Sequence, residues 1–332
     1  MVESVHIIAE AGTNHNGKLE TAKSLVDIAK QAGADSVKFQ LIYPEGLYLP
    51  KFFQDGKYVE NEVFKKRAAG MMTDQDYGEL AAYCKTSGIP FSASVFDIRG
   101  LDLLESLDVP YFKIASCDLN NSPFLIQVAE RGRKMIVSTG MASLGEIERA
   151  VSDMLSTGNQ DIVLMHCVSV YPAHLANMNL AFIDTLRSAF GLPVGLSDHT
   201  ESSLAAAIGI AKGITWIEKH FTQDRTSPGF DHAYAMEPSM LKQYILDIRA
   251  SEAACRHQGS KLQPAEAQVK TRARRGLYAA RDIQAGEILK MEDVLIVRPE
   301  GPMAPVDIVR VIGRAIRRDL HQYEPLSYDL FG

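Results

Sequence analysis

Short apolar runs alternate with amphipathic helical patterns from Val5 to about Ala254. Apolar runs bounded by polar turns are typical of strands buried on both faces, and their alternation with helices is typical of a parallel sheet. The predicted strands are Val5–Ala9, Ser36–Gln40, Pro90–Ser94, Tyr111–Ile114, Met135–Ser138, Ile162–His166, Val194–Leu196 and Thr215–Glu218. Eight strands in a segment of this length favour a closed (β/α)8 barrel, the TIM barrel.

Local signals support the helices between these strands. Leu19–Gln31 has apolar residues at helical spacing, and Gly33 follows it as a residue typical of helix ends. Thr73 and Asp76 are spaced as a capping pair at the start of a helix over Asp74–Ser87. An open doubly wound sheet is the main alternative, but no Gly-x-Gly-x-x-Gly turn supports the dinucleotide site that such a sheet often carries.

Two regions depart from this alternation. The segment Ile42–Gly70 is long, aromatic and basic with no clear period, and either a substrate loop or a structural excursion would explain it. After residue 254 the alternation stops. We therefore assign residues 1–254 to the barrel, 255–275 to a polar, basic linker and 276–332 to a small separate module.

The small module is close to the lower size limit for independent folding, so we expect it to pack on the barrel or on a second subunit. It has short strand patterns at Leu277–Ala280, Asp282–Gly286 and Glu292–Val297. The basic run Lys270–Arg275 before it is short and has no interleaved aromatic residues, which favours a linker over a nucleic-acid patch.

Composition narrows the class of protein. The chain has 332 residues, 46% of them hydrophobic, which suits a large buried core. A net charge of −6 argues against nucleic acid or an anionic membrane as the main partner. The four cysteines show no Cys-x-x-Cys spacing, there is no secretory signal pattern, and no apolar run is long enough to span a bilayer. These features predict a soluble cytoplasmic protein.

Two predicted strands that are consecutive in the chain end in histidines. His199 follows the seventh strand and His220 follows the eighth. Consecutive strand ends are neighbours at the C-terminal mouth of a barrel, so the two imidazoles are predicted to share one divalent metal ion. Asp198 and Glu218 stand nearby, and we expect a carboxylate to orient each ring.

Other strand ends carry groups that suit an anion. Glu10 follows the first strand and is placed to take or give a proton. Lys38 and Lys113 lie within predicted barrel strands, where a buried ammonium is costly unless it is paired. Hydroxyl groups occur at further strand ends, at Ser94, Ser116, Ser138, Ser169 and Ser197. Together they suit phosphoenolpyruvate facing a metal-polarised aldehyde, and they would equally suit a metal-dependent aldolase.

These motifs carry a family resemblance over nearly the whole chain. The matching stretches, in order, are Ile8–Gly17, Lys38–Gln40, Lys113–Ser116, Ser138–Met141, His166–Cys167 with Tyr171–Pro172, Gly195–Thr200 and Glu218–Phe221. They resemble the sialic acid (N-acetylneuraminate) synthase family. The segment from Leu277 to Pro299 resembles the antifreeze-like SAF domain that such synthases carry at the C-terminus.

The resemblance implies condensation of phosphoenolpyruvate with an N-acetylmannosamine-type sugar, giving a nine-carbon 2-keto acid and phosphate. It implies a metal ion, Mn²⁺ with Mg²⁺ or Co²⁺ as alternatives, held by His199 and His220. It implies catalytic roles for Glu10, His220 and Asp118. The positions matched to phosphoenolpyruvate are Lys38, Ser94, Lys113, Ser116, Ser138, Ser169 and Ser197. The positions matched to the sugar are Gln40, Asp118, Tyr171, Asp231 and Arg298.

The resemblance also implies a head-to-tail homodimer in which the SAF domain of one subunit covers the active site of the other, with Arg298 reaching over. Ser94 and Ser169 stand where the family more often has threonine and asparagine, which leaves the acceptor sugar open. The alternatives are a legionaminic or pseudaminic acid synthase that uses a 2,4-diacetamido-trideoxy hexose, and a metal-dependent sugar-acid aldolase. A non-catalytic sugar- or ice-binding protein is suggested by the C-terminal module alone.

Overall fold

The computed structural model describes residues 4–256 and 262–331. The chain divides into two compact units, one ending at Arg256 and the other beginning at His257. The strands are β1 (His6–Gly12), β2 (Ser36–Leu41), β3 (Lys51–Gln54), β4 (Lys57–Glu60), β5 (Phe91–Val95), β6 (Phe112–Ile114), β7 (Met135–Ser138), β8 (Ile162–Cys167), β9 (Val194–Asp198), β10 (Trp216–His220), β11 (Gly276–Ala279) and β12 (Val294–Val297).

Helices follow most of the barrel strands. They are α1 (Leu19–Ala32), α2 (Pro44–Leu47), α3 (Glu62–Ala69), α4 (Asp74–Ser87), α5 (Ile98–Ser106), α6 (Ser122–Ala129), α7 (Leu144–Ser156), α8 (Phe182–Phe190), α9 (Leu204–Ala211), α10 (Pro238–Cys255), α11 (Pro264–Ala273) and α12 (Ile308–Val311). The predicted helix ends are present: Gly33 closes α1 with a φ of 90°, and Thr73 and Asp76 form a capping box at α4.

The first unit is a closed barrel of parallel strands in the order β1-β10-β9-β8-β7-β6-β5-β2. Each of the eight strands predicted from the apolar runs is present, displaced by at most three residues at either end. The TIM-barrel prediction is therefore confirmed. Because β9, β10 and β1 are adjacent, the ends of these three strands meet at one side of the mouth.

The interior of the barrel is layered, and the layers position the site. Inward-facing side chains recur at every second residue of a strand. An apolar layer includes Ile8, Tyr111 and Ile136, all almost fully buried. Two residues further along the same strands stand Glu10, Lys113 and Ser138. The polar groups therefore form the next layer towards the C-terminal mouth, directly on top of a packed apolar floor.

The segment Ile42–Gly70 is more regular than its sequence suggested. It contains α2, the antiparallel hairpin β3–β4 and α3. Every residue of the hairpin strands is exposed. Neither face of the hairpin is buried, so its sequence does not alternate between apolar and polar residues. The turn at Asp55 and Gly56, both with positive φ, is the signal that could have revealed the hairpin.

The second unit is built on β11 and β12, which pair antiparallel. The strand predicted at Asp282–Gly286 is wrong: this segment contributes an isolated bridge between Ile283 and Leu320 and no strand. The stretch 255–275 is not irregular throughout, because it contains α11, which begins with Pro264 at a position that favours helix starts. A separate apolar core, including Leu277, Leu289 and Leu326, stabilises this unit.

None of the helices in the described parts of the chain is long and apolar enough to cross a membrane.

Candidate active site

A cavity of about 240 Å³ lies at the C-terminal ends of the barrel strands. It brings together most of the residues predicted for the site from different strand ends. Those lining it are Glu10, Lys38, Gln40, Ser94, Lys113, Ser116, Ser138, Ser169, Tyr171, Ser197, His199 and His220. Ala115, Cys117, Met141, Cys167 and Glu218 also line it and were not among the predicted site residues.

Two lysine ammonium groups are buried in this cavity. Lys38 and Lys113 are 1% and 2% exposed, and both come from inward-facing strand positions. Nζ of Lys38 donates to Oγ of Ser94 at 2.8 Å, and Nζ of Lys113 donates to Oγ of Ser138 at 2.7 Å. Each cation is therefore held beside a hydroxyl group, an arrangement that suits an anion with several oxygens.

Glu218 has a different role from the one predicted, because it lies beside the two lysines and was expected to orient an imidazole. Its Oε2 lies 3.6 Å from Nζ of Lys38 and 3.7 Å from Nζ of Lys113, and its Oε1 accepts from Ser197 at 3.0 Å. Burial disfavours its charge, but the two lysines outweigh burial and lower the pKa of Glu218 to about 2. The available signal was strand alternation, because Glu218 shares the inward face of β10 with His220.

Glu10 is the second carboxylate in this cluster, and its environment has the opposite effect. Oε2 lies 2.7 Å from Nζ of Lys38, and Oε1 accepts from Nε2 of Gln40 at 3.1 Å. Burial raises the pKa of Glu10 to about 7 against the attraction of Lys38, and the charge of Glu218 adds to the rise. One carboxylate is thus kept ionised while the other titrates near neutral pH, as acid–base catalysis requires.

The remaining hydroxyl groups surround a glycine. The amide of Gly140 donates to Oγ of Ser116 at 3.0 Å. A Cβ atom at residue 140 would lie 2.3 Å from Oγ of Ser169 and 2.8 Å from Oγ of Ser116. A glycine is needed here because any side chain would displace the hydroxyl groups from the cavity.

The two predicted metal ligands are neighbours, with ring centroids 5.6 Å apart. Nδ1 of His199 donates to the carbonyl oxygen of Val168 at 2.8 Å, so the lone pair of the neutral ring is on Nε2, which lies 3.4 Å from Oγ of Ser197. Nδ1 of His220 is buried and has no hydrogen-bond partner among the described residues, and burial lowers the pKa of His220 to about 4. Each ring therefore offers one nitrogen to a divalent ion, His199 through Nε2 and His220 through Nδ1.

No group of three or more His, Cys, Asp or Glu side chains that could hold a metal occurs in the described ranges 4–256 and 262–331. An ion held by His199 and His220 would therefore take its remaining ligands from water or substrate. Such an open coordination sphere is typical of a catalytic metal site and not of a structural one.

The prediction that a carboxylate orients each of the two histidines is wrong. Asp198 is fully buried and faces away from the cavity, where Tyr244 donates to its Oδ2 at 2.7 Å and Nζ of Lys219 lies 3.2 Å away. A backbone carbonyl orients His199 instead. The alternation of side chains explains the difference, since Ser197 is inward-facing and the next residue along the strand faces outward.

Three aromatic and acidic side chains border the histidines. The ring of Tyr171 packs against His199 at a centroid distance of 4.1 Å with a tilt of 41°, and it lies 4.7 Å from the ring of Tyr234. Tyr234 donates to Oδ1 of Asp231 at 2.6 Å, while Oδ2 of Asp231 is buried and finds no hydrogen-bond partner in the part of the chain that the structure describes. A Cβ at Gly12 would lie 2.6 Å from that Oδ2, so Asp231 packs tightly against the end of β1.

Besides Asp231, two predicted site residues do not line the cavity. Asp118 is buried in a 3-10 turn that follows β6, and its carboxylate accepts from Sγ of Cys117, which does line the cavity. Burial raises the pKa of Asp118. Arg298 belongs to the second unit and directly follows β12. Both assignments remain predictions.

Comparison with known proteins places this chain in a family. Residues 25–260 match the NeuB family, and residues 274–331 match the SAF domain. The chain belongs to the NeuB family. Its C-terminal unit is a SAF domain, as the sequence predicted.

Relatives of this NeuB-family chain carry names that give different products. It is 35% identical to the N,N'-diacetyllegionaminic acid synthase of Legionella pneumophila, over 95% of this chain and 91% of that protein. It is 32% identical to the N-acetylneuraminate-9-phosphate synthase of Homo sapiens, over 98% and 92%. The crystal structure of the spore coat polysaccharide biosynthesis protein SpsE of Bacillus subtilis matches with a TM-score of 0.68 and 32% identity, over 100% and 96%.

Proposed function

We propose that this protein condenses phosphoenolpyruvate with an N-acetylated amino sugar to give a nonulosonic acid of the sialic type and phosphate. The observation that carries the proposal is the pair of buried lysines, each hydrogen-bonded to a serine hydroxyl, in a cavity that also contains two neighbouring imidazoles. The synthase names of its NeuB-family relatives agree with this reaction class.

The lysine cluster suits the phosphate and carboxylate of phosphoenolpyruvate. The cavity holds two ammonium groups, the ionised carboxylate of Glu218 and the carboxyl group of Glu10, so the cluster has a net positive charge when Glu10 is protonated, and that charge suits an anionic substrate. Lys38 and Lys113 supply charge, and the hydroxyl groups supply directional hydrogen bonds. The hydroxyl groups assigned to this role are those of Ser94, Ser116, Ser138, Ser169 and Ser197.

The histidine side of the cavity suits the sugar aldehyde. A divalent ion on His199 and His220, which we propose to be Mn²⁺, would supply Lewis-acid polarisation of the aldehyde carbonyl. Tyr171 and Asp231 border the histidines and are proposed to contact the sugar, with Gln40 beside Glu10 on the other side. Phosphoenolpyruvate and sugar would then lie next to each other across the cavity.

The reaction balances as follows. C3 of phosphoenolpyruvate attacks the aldehyde carbon, water adds at C2, and the C–O bond to phosphate breaks, giving the 2-keto acid and inorganic phosphate. We propose that Glu10, which titrates near neutral pH, is the group that takes up and gives back a proton during these bond changes. Lys38, 2.7 Å from its carboxylate, fixes the position of Glu10 beside the substrate anion.

We also propose that the protein acts as a homodimer in which the SAF domain of one subunit covers the site of the other. This proposal depends on the family resemblance and on Arg298. An arginine suits a polar group of the sugar because its planar guanidinium presents several donors.

Phosphate release from phosphoenolpyruvate in the presence of Mn²⁺ tests the proposed function. The sugars to compare are N-acetylmannosamine, its 6-phosphate and the two 2,4-diacetamido-trideoxy hexoses. Release with at least one of them, matched by an equal amount of a new 2-keto acid, is expected. Release with none, from folded protein loaded with metal, would contradict the proposal.

A further inference from the structure

A second cavity, of about 470 Å³, adjoins the active-site cavity within the barrel unit. Gln40 lines both cavities, and its amide also donates to Glu10 at 3.1 Å. We call the second space the Arg67 cavity, after a residue of α3 that lines it. A substrate whose aldehyde lies at the histidines would extend past Gln40 into this space.

Arg67 is held rigidly in the wall of the cavity. Its guanidinium carbon lies 3.6 Å from the centroid of the Phe230 ring, and its Nη1 donates to Oγ1 of Thr13 at 2.8 Å. Its Nε is buried and has no hydrogen-bond partner among the described residues. One face of the guanidinium therefore packs on Phe230 and Nη1 is hydrogen-bonded, while the Nε donor is unused.

His15 supplies a second unused donor. It is 1% exposed and lines the same cavity. Its Nδ1 accepts from the amide of Gly17 at 3.0 Å, so the proton of the neutral ring is on Nε2. That Nε2 is buried without a partner in the described ranges. Two buried donors without an acceptor in one wall indicate that a ligand supplies the acceptor.

The rest of the lining is largely apolar. Ile42, Met71, Tyr77 and Phe230 all contribute to it, and no carboxylate does. Lys66 also lines the cavity, and an anion such as a phosphate ester would gain from it. Burial of a phosphate dianion against this apolar wall would require more charge than one partly committed arginine and one surface lysine provide. A neutral group with an acceptor oxygen and a methyl group fits better.

We propose that the Arg67 cavity binds a second acylamino group of the acceptor sugar, on the part of the carbon chain remote from the aldehyde. Its carbonyl oxygen accepts from the donors of Arg67 and His15, and its methyl group packs on Phe230 and Met71. The proposal depends on the proposed function and makes it specific, because it selects a diacetamido sugar over N-acetylmannosamine and over a sugar phosphate.

The test compares Arg67→Leu with the wild type in the Mn²⁺-dependent phosphate-release assay. For a 2,4-diacetamido-trideoxy hexose, kcat/KM should fall at least about tenfold, because a charge-assisted hydrogen bond is lost. For N-acetylmannosamine and for phosphoenolpyruvate, the KM should change less than about twofold. Arg99→Leu is the matched control, since Arg99 stacks on Tyr43 at 3.8 Å outside both cavities. It should change none of these values.

Two outcomes would overturn the proposal. An equal loss with both sugars would show that Arg67 does not contact the second acylamino group. The wild type could also prefer the sugar 6-phosphate. If Lys66→Met or Arg67→Leu abolishes that preference, the cavity binds an anion. Thr13→Val, which removes the hydroxyl that holds Arg67, should reproduce a weaker form of the same selective loss.

Failure of the proposed function gives a different result. If no sugar supports phosphate release, calorimetric binding of the diacetamido sugar to wild type and to Arg67→Leu still tests the cavity. Binding that weakens at least about tenfold in the variant supports the cavity assignment without turnover. Equal binding to both proteins, or no binding to the wild type, contradicts it.

Discussion

Lys38 and Glu10 form an ion pair of 2.7 Å inside the barrel, with both side chains almost fully buried. The same ammonium lies 3.6 Å from Glu218 and donates to Ser94 at 2.8 Å. A buried pair of this kind contributes little net stability, because desolvation offsets attraction. Its presence at the mouth of the barrel is explained better by the reaction, which needs both a fixed cation and a carboxylate that can change protonation.

The titration of Glu10 should appear in the pH dependence of stability. Its folded pKa of about 7 lies above its ordinary value of 4.5. The folded protein therefore binds a proton that the unfolded chain has lost, so the contribution of Glu10 to stability is full below about pH 4.5 and is lost as the pH rises to about 7. Relative to wild type, Glu10→Gln should gain unfolding free energy over this range.

Urea unfolding at a series of pH values measures this difference. The control is Glu20→Gln, which changes a carboxylate that is 84% exposed and should show no comparable trend. A constant difference between wild type and Glu10→Gln across the pH range would contradict the raised pKa of Glu10.

Glu218 should be needed for stability when no substrate is bound. Glu218→Gln removes the charge that lies 3.6 Å and 3.7 Å from two buried lysines, so about 3 kcal/mol of unfolding free energy should be lost at neutral pH. Glu60→Gln is a close control, because Glu60 also pairs with two lysines but on the surface, where solvent screens the charges, and it should lower the unfolding free energy far less.

Phosphoenolpyruvate should restore stability to Glu218→Gln more than it stabilises the wild type, since the anion replaces the missing charge. Thermal unfolding with and without the ligand provides the measurement. Equal stabilisation of the two proteins would show that the ligand binds away from the lysine cluster.

The barrel could be predicted closely because its strands are buried on both faces and read as continuous apolar runs. The site could be predicted because its residues follow those strands at the same end. The sequence did not reveal which way the side chains at a strand end point. Asp198 and Ser197 are adjacent, yet Asp198 faces the helices and Ser197 faces the cavity. The contacts of Glu218 with two lysines could not be predicted either, because these lysines come from two other strands.

Metal binding should depend on His220. His220→Gln should weaken the binding of Mn²⁺ more than about 100-fold, because even outer-shell changes typically cost 10- to 100-fold. Titration followed by electron paramagnetic resonance reports binding without turnover. His174→Gln, at an exposed histidine outside the cavity, is the control and should bind Mn²⁺ as the wild type does. An unchanged dissociation constant in His220→Gln would show that the ion binds elsewhere.

Arg298 should act across the proposed dimer. Arg298→Ala should raise the KM of the sugar at least about tenfold and leave the KM of phosphoenolpyruvate unchanged. Arg310→Ala, at a largely exposed arginine of the same unit, is the control. Mixed with inactive Glu10→Gln, Arg298→Ala should regain activity, because hybrid dimers contain one complete site. No gain on mixing would contradict a site that is shared between subunits.

The measurement that tests the central proposal most directly uses phosphoenolpyruvate labelled with ¹⁸O at the bridging oxygen. Attack of C3 on the aldehyde, followed by water addition at C2, breaks the C–O bond. We therefore expect the released phosphate to retain the label and to form in equal amount with a new 2-keto acid. Unlabelled phosphate, or pyruvate in place of the condensation product, would contradict the proposed reaction.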